Sequence, residues 1–227
     1  MKLPVLDKGS VELISSTADG DLLVVNAARC SFDKEHSEFD NVKDTKLIRY
    51  LAKHKHLLPF RHPQATIRIH APIFVLRQLG KHQVGFSWSE VSRRYITTKP
   101  EFYLPHDLRK AAANVKQGSS DDCLDNTRNR ILTQDIQDAH HASMVCYNRL
   151  LDQGVCPEQA RIVLPQSMYT TTVTTGSLLG WYHMYHMRSE SHTQAETRAY
   201  AGAIEQLLYS VFPVSWKELK REVSFTD

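Results

Sequence analysis

Between residues 65 and 80 the chain reads ATIRIHAPIFVLRQLG, and its apolar period changes once, at Pro72. Ala65, Ile67 and Ile69 alternate with Thr66, Arg68 and His70, which is the pattern of a half-buried strand. Pro72 suits the first turn of a helix over PIFVLRQL, and Gly80 can stop that helix. A strand running straight into a helix is a rigid unit. The segment after it, KHQVGFSWSEVSRRY, is therefore a loop, or a loop leading into a short strand, hung from a fixed support. Binding residues are often carried in this way.

The other segments read more coarsely. VELISSTADGDLLVV resembles a sheet edge, with Val11, Leu13 and Ser15 on one side and Ala18 to Asp21 turning the chain. EHSEFDNVKD is polar and leads into a helix with Leu47, Ile48 and Leu51 on one face and Asp44 as N-cap; Pro59 ends that region. Residues 106–126, including Gly118-Ser119-Ser120-Asp121-Asp122, read as a polar surface connection. Leu132, Ile136, Ala139, Ser143, Tyr147 and Leu150 form a long helical stripe closed by Gly154. PEQARIV is a short helix, MYTTTVTT is strand-like, and SLLGWYHMYHMR and AETRAYAGAIEQLL are helices. A chain of 227 residues suits one domain.

The net charge of +3 contains no long run of one sign, which argues against a basic nucleic-acid arm and fits small anionic ligands. The four cysteines show no C-x-x-C spacing and read as reduced thiols in a cytoplasmic protein. No apolar run reaches the roughly 18–20 residues that span a bilayer, so no membrane partner is expected.

The stretch after Gly80 gathers Lys81, His82, Glu90, Arg93 and Arg94 around an aromatic middle, with Ser87, Ser89 and Ser92 between them. Arginine forks and serine hydroxyls suit a phosphate, and Glu90 suits a ribose hydroxyl or an arginine. A solvated hairpin accounts for the same residue types. Arg161, flanked by apolar residues, reads equally as a buried ion pair, and the helix dipole alone explains Arg188 at a helix C-terminus. His54-x-His56 and His183-x-x-His186 lack a cysteine or carboxylate to complete a ligand set, so no metal is expected. Neither G-x-S-x-G, a P-loop nor G-x-G-x-x-G is present.

Taken in order, APIFVLRQLGKHQ, E-V-S-x-R-Y, ARIVLP and a helix ending R-S-E-S-H-x-Q-x-E resemble the flavin-dependent thymidylate synthases. KHKHLLPFRH and LDKGSVELI are similar to their upstream segments, so the likeness runs over roughly residues 5 to 210. That family's signature is R-H-R, seven residues, then Ser. Here Lys81-His82-Gln83 stands for R-H-R, and eight residues, Val84 to Val91, precede Ser92, with one inserted around Gly85-Phe86. Leu58 stands where the family often has a hydroxyl residue, and Ser177 and His183 where it often has asparagine.

The resemblance implies an α+β fold with a mixed or antiparallel sheet flanked by long helices, in a single domain over residues 1–227. It implies reductive methylation of dUMP to dTMP, with methylenetetrahydrofolate as carbon donor and NADPH-reduced FAD as hydride donor. By position it assigns Arg188 to the uracil edge as the catalytic cation. Gln78, Lys81, Glu90, Ser92, Arg93, Arg94 and Arg161 join Arg188 around dUMP. His56, Leu58, Lys81, His82, Gln83, Glu90, Ser177 and His183 are assigned to FAD, and Tyr95 to a folate- or nucleotide-side wall. It also implies a homotetramer with active sites at subunit interfaces, in which WYHMYHM is an interface helix as readily as a core helix. The alternative is a degenerate member that binds nucleotide without flavin turnover, motivated by Lys81, Gln83 and the inserted residue.

Overall fold

The strand and helix that meet at Pro72 form as their pattern requires, and the strand lies at the centre of the sheet. The computed structural model describes residues 1–96, 98–112 and 119–224. In chain order the elements are β1 (Lys2–Val5), β2 (Gly9–Ser16), α1 (Gly20–Arg29), α2 (Lys43–Lys53), β3 (Gln64–Pro72), α3 (Ile73–Leu79), β4 (Phe86–Glu90), β5 (Arg109–Ala111), β6 (Ser119–Cys123), α4 (Asn126–Asp152), α5 (Pro157–Ala160), β7 (Tyr169–Ser177), α6 (Leu178–Ser189), α7 (Ala195–Val211) and α8 (Pro213–Glu222). The fold is α+β. Its main sheet is antiparallel throughout, in the order β1-β2-β3-β7-β4, and β5 and β6 form a separate two-stranded ribbon.

One face of the sheet is dry. Ala65, Ile67 and Ile69 of β3 are essentially inaccessible and pack with Trp181 and Tyr182 of α6, Ile204 and Leu207 of α7, and Trp216 of α8. The other face is polar. Arg68 meets Glu12 at 2.8 Å, Thr66 meets Thr175 at 2.9 Å, and His70 meets Thr171 at 2.9 Å. A period of two thus sorts oil from water across β3.

Gly176 is a packing requirement. An added Cβ there would stand 2.4 Å from the Phe86 ring and 3.1 Å from Trp181 Nε1. That indole packs edge-on against Phe86 and donates to Ala65 O at 3.0 Å. Without a side chain at 176, β4 and α6 can both close on β7.

Several expectations need correction. VELISS is an interior strand, because β1 covers its outer side. GDLLVV is not strand but the start of α1, where Val24 and Val25 are buried at helical spacing. Asp44 does not cap α2. It is fully buried, accepting from Arg29 Nη2 at 2.7 Å and from Asp40 N at 2.9 Å. The exposed Asp40 takes over the capping. Its Oδ1 accepts from the backbone of Val42 and Lys43, each at 2.9 Å, and the N–H of Lys43, then that of Val42, hold its carboxyl below the usual range. Pro59 sits inside a short 3-10 turn, Leu58–Arg61. The polar connection contains β5 and β6, and its Gly118 lies outside the described residues. α6 is a core helix, with Trp181, Tyr182 and Met184 at most 1% exposed. α8 had no counterpart in the pattern reading.

Candidate active site

Two segments bring one cationic group together. β4 ends at Glu90, and Val91 N still reaches Thr171 O at 2.9 Å, so the chain leaves the sheet only at Ser92. The short turn Arg161–Val163 follows α5 and is tied down beyond it: Ile73 N donates to Met168 O at 3.0 Å and Phe74 N to Gln166 O at 3.2 Å. Arg161 Nη1 then stands 3.5 Å from Ser92 Oγ, and Arg94 N 3.3 Å from the same oxygen. Arg94 lies over the Tyr95 ring at 5.2 Å, with Glu158 Oε2 3.5 Å from its Nε. Both guanidiniums are exposed, which excludes the buried ion pair considered for Arg161. Two accessible cations and a hydroxyl make a ready seat for a phosphate.

Arg93 is not in this group. Its side chain is buried, and Nη1 donates to the carbonyl oxygen of Thr98 within its own loop. Glu90 is exposed and its carboxylate has no hydrogen bond or ion pair among the described residues.

A second group lies past the end of α3. Arg188, in the last turn of α6, donates from Nε to His82 Nε2 at 3.1 Å. The His82 ring meets His183 edge-on at 5.7 Å, and its carbonyl accepts from Trp88 Nε1 at 3.2 Å. Burial chiefly, then the Arg188 and His183 charges, push the His82 imidazole down to about 4, so it is neutral near pH 7. Burial also lowers Arg188, and burial followed by His186 lowers His183. Gln78 is held by Gln194 at 2.5 Å and by Thr197 at 3.1 Å. Lys81 and Gln83 are exposed in the turn between α3 and β4, where Gln83 Nε2 donates to Gly80 O. Gly85 in that turn has φ 77°, a left-handed conformation that glycine adopts without strain. The two cationic groups share no hydrogen bond or ion pair among the described residues.

Beside the second group runs a cleft of about 490 Å³, lined by Arg61, Gln64, Val84, Ser177 and His183. Ser177 also caps α6, accepting from Gly180 N at 3.1 Å. A second cleft of about 620 Å³, lined by His56 and Leu58, shares Leu57 and Arg61 with the first as lining residues. Val84 and Leu58 are 83% and 68% exposed, an apolar lining open to solvent. Apolar walls with an arginine, an amide and two histidines at the edges fit a planar cofactor carrying phosphates. A larger cleft of about 720 Å³ beside Phe102 and α4 contains none of the expected site residues.

Pattern reading missed Arg61, Gln64, Glu158 and Gln194. Glu158 was accessible to it, standing three residues before Arg161 on one turn, and Gln194 lies within the R-S-E-S-H-x-Q-x-E segment. Arg61 lies within the KHKHLLPFRH segment, while Gln64 carries no local signal. Among the described residues no three His, Cys, Asp or Glu side chains gather as a metal site.

The UMP/dUMP methylase PolB from Streptomyces cacaoi, solved with 5-Br dUMP, matches this chain with a TM-score of 0.85 at 30% identity, covering 96% of this chain and 97% of that one. The flavin-dependent thymidylate synthase of Kosmotoga olearia is 37% identical over 220 residues, 96% of this chain and 92% of that protein. That of Thermus thermophilus is 37% identical over 216 residues, 95% and 77%. The architecture is thus the α+β fold of the flavin-dependent thymidylate synthases. Residues 12–214 match the family described as thymidylate synthase complementing protein, and the chain belongs to that family.

Proposed function

We propose that the chain is a flavin-dependent thymidylate synthase that methylates dUMP to dTMP in the cytoplasm, with methylenetetrahydrofolate supplying the carbon and NADPH the reducing equivalents. The observation that carries this reading is the cluster at Ser92, whose hydroxyl meets the Arg161 guanidinium at 3.5 Å and the backbone N–H of Arg94 at 3.3 Å, with both arginine side chains exposed. Ser92, Arg94 and Arg161 hold the nucleotide phosphate, and the unpartnered Glu90 carboxylate accepts from a sugar hydroxyl. Gln78, Lys81 and Arg188 meet the same nucleotide from the other cationic group. Arg93 is reassigned to loop structure, because its guanidinium is already committed to Thr98.

Arg188 works on the pyrimidine. A fixed guanidinium at the uracil edge stabilises the anion left when N3 loses its proton, and that charge makes C5 more nucleophilic. The two clefts fit FAD: His56 and Leu58 line one and Ser177 and His183 the other, and Lys81, His82 and Gln83, in the turn whose Val84 and Gly85 line the second cleft, would meet the cofactor from there. When bound there, FAD reduced by NADPH supplies the hydride. Lys81 keeps the charge of the family's arginine and lacks its fork.

The two cationic groups share no hydrogen bond or ion pair among the described residues, and a site completed between chains of a homotetramer would bring both to one nucleotide. The surface of α4 supports this. Among its 27 residues only Tyr147 is buried, while Ile131, Leu132 and Val145 are 42–52% exposed. One domain over residues 1–227 contributes both halves. The four cysteines form no disulfide, in keeping with a reducing compartment, and no helix among the described residues is long and apolar enough to cross a membrane.

The direct test is tritium release from C5-labelled dUMP, with methylenetetrahydrofolate, NADPH and FAD present and labelled UMP as a second arm. Release from dUMP is expected. Binding of dUMP without release would instead establish the degenerate, non-turning-over alternative.

A further inference from the structure

The partner chosen for Arg188 is unusual in its charge. Arginines at a partly buried site are commonly held by carboxylates. Here the nearest acid in sequence, Glu190, is engaged by His192 at 3.3 Å, and the hydrogen bond to Arg188 Nε goes to an imidazole nitrogen. To accept that bond, His82 Nε2 must lack a proton, which fixes the tautomer with hydrogen on Nδ1. The residue is held from two further directions, by the perpendicular His183 ring at 5.7 Å and by Trp88 Nε1 on its backbone carbonyl. The bond uses only the Nε–H of the guanidinium. No hydrogen bond from its two terminal amino groups is found among the described residues.

We propose that His82 is a positioning residue for the reaction: by accepting from Arg188 Nε with an uncharged atom, it aims the guanidinium while leaving its whole positive charge and both amino groups for the pyrimidine. A carboxylate in the same place would orient Arg188 equally well and cancel much of its charge, just where charge is needed to favour N3 ionisation. The low proton affinity of the buried ring agrees with the geometry, since a protonated His82 would repel Arg188. The inference rests on the reading of Arg188 as the uracil-edge cation and adds the group that keeps it effective.

The test separates orientation from charge. Affinities for dUMP and for 5-fluoro-dUMP, whose fluorine makes N3 more acidic, are measured by calorimetry on the full-length protein at matched flavin occupancy. A cation that favours the N3 anion gives a preference for the fluorinated nucleotide. His82→Asn, which offers a neutral acceptor, should keep most of that preference. His82→Asp should abolish it and weaken dUMP binding about ten- to a hundredfold, the scale of one charge-assisted contact. Arg188→Ala should abolish the preference as well. If Arg188→Ala leaves it intact, the uracil-edge reading itself is wrong. If Arg188→Ala removes it but His82→Asp retains it, Arg188 stands and the role of His82 is overturned. An Asn variant as impaired as Asp also overturns it. Should the Asp variant fail to fold, His82→Leu takes its place, and a wild-type preference in it refutes the proposal.

Discussion

Arg93 and Arg94 are neighbours of one type, and the chain sends them opposite ways. Arg93 is buried on the carbonyl of Thr98, while Arg94 stands exposed beside Ser92. Consecutive residues in a turn diverge, and residue type alone does not say which of the two faces the ligand. The motif order groups Ser92, Arg93, Arg94 and Arg161; the structure brings the Arg161 guanidinium and the Arg94 N–H to the Ser92 hydroxyl and ties Arg93 to its own loop. At this scale the Ser92 seat makes a direct prediction. Arg161→Ala should cost about 1.5–3 kcal/mol of dUMP binding, the worth of a charge-assisted hydrogen bond, and calorimetry showing unchanged affinity would make Arg161 purely structural. A second prediction concerns acid. The folded-state value of His82 lies near 4, below its ordinary 6.5, so between those values the unfolded chain binds more protons than the folded one. Stability is fully present above that window and is lost as the pH falls through it. Urea midpoints on either side of the window should therefore differ less in His82→Asn than in the parent protein.

Among the elements, legibility followed local pattern. β3 was readable from its period of two, α3 from its Pro72 start and Gly80 stop, and β7 from its β-branched run. α1 was not, because GDLLVV places four apolar residues in a row, and a short apolar run does not distinguish a strand from a buried helix. α8 was missed because five of its ten residues, PVSWKELKRE, are charged, leaving Trp216 and Leu219 to hold it to the core. The cap of α2 was misassigned because Asp40 and Asp44 are chemically alike, and only tertiary contact with Arg29 tells them apart. The junction of β4, β7 and α6 gives the prediction for this scale. Gly176→Ala should destabilise the fold by about 1–3 kcal/mol through overpacking against Phe86 and Trp181, measured by urea unfolding. It should also loosen the turn that carries His82, seen as faster amide exchange over residues 81–85.

For the whole molecule, α4 is the element that one chain leaves unfinished. Its stripe was legible as a helix, but the sequence did not reveal that Leu132 and Ala139 of the stripe, and Ile131 and Val145 beside it, stay exposed in the single chain while Tyr147 is buried. Replacing Ile131 and Val145 together by aspartate should lower the assembly's mass in light scattering while leaving helical content intact, because these side chains support no contact that the monomer needs. A mass unchanged from the parent would remove α4 from the subunit contact.

The Ser92 and Arg188 groups share no hydrogen bond or ion pair among the described residues, and this has a genetic consequence. If a working site takes one group from each of two protomers, Arg161→Ala and Arg188→Ala damage different halves. Each variant alone would be nearly dead. Unfolded together and reassembled, the two should show intragenic complementation, since some mixed pairs place an undamaged half against an undamaged half. Silence from the mixture, with both variants shown to co-assemble, would mean that each polypeptide builds its own site unaided.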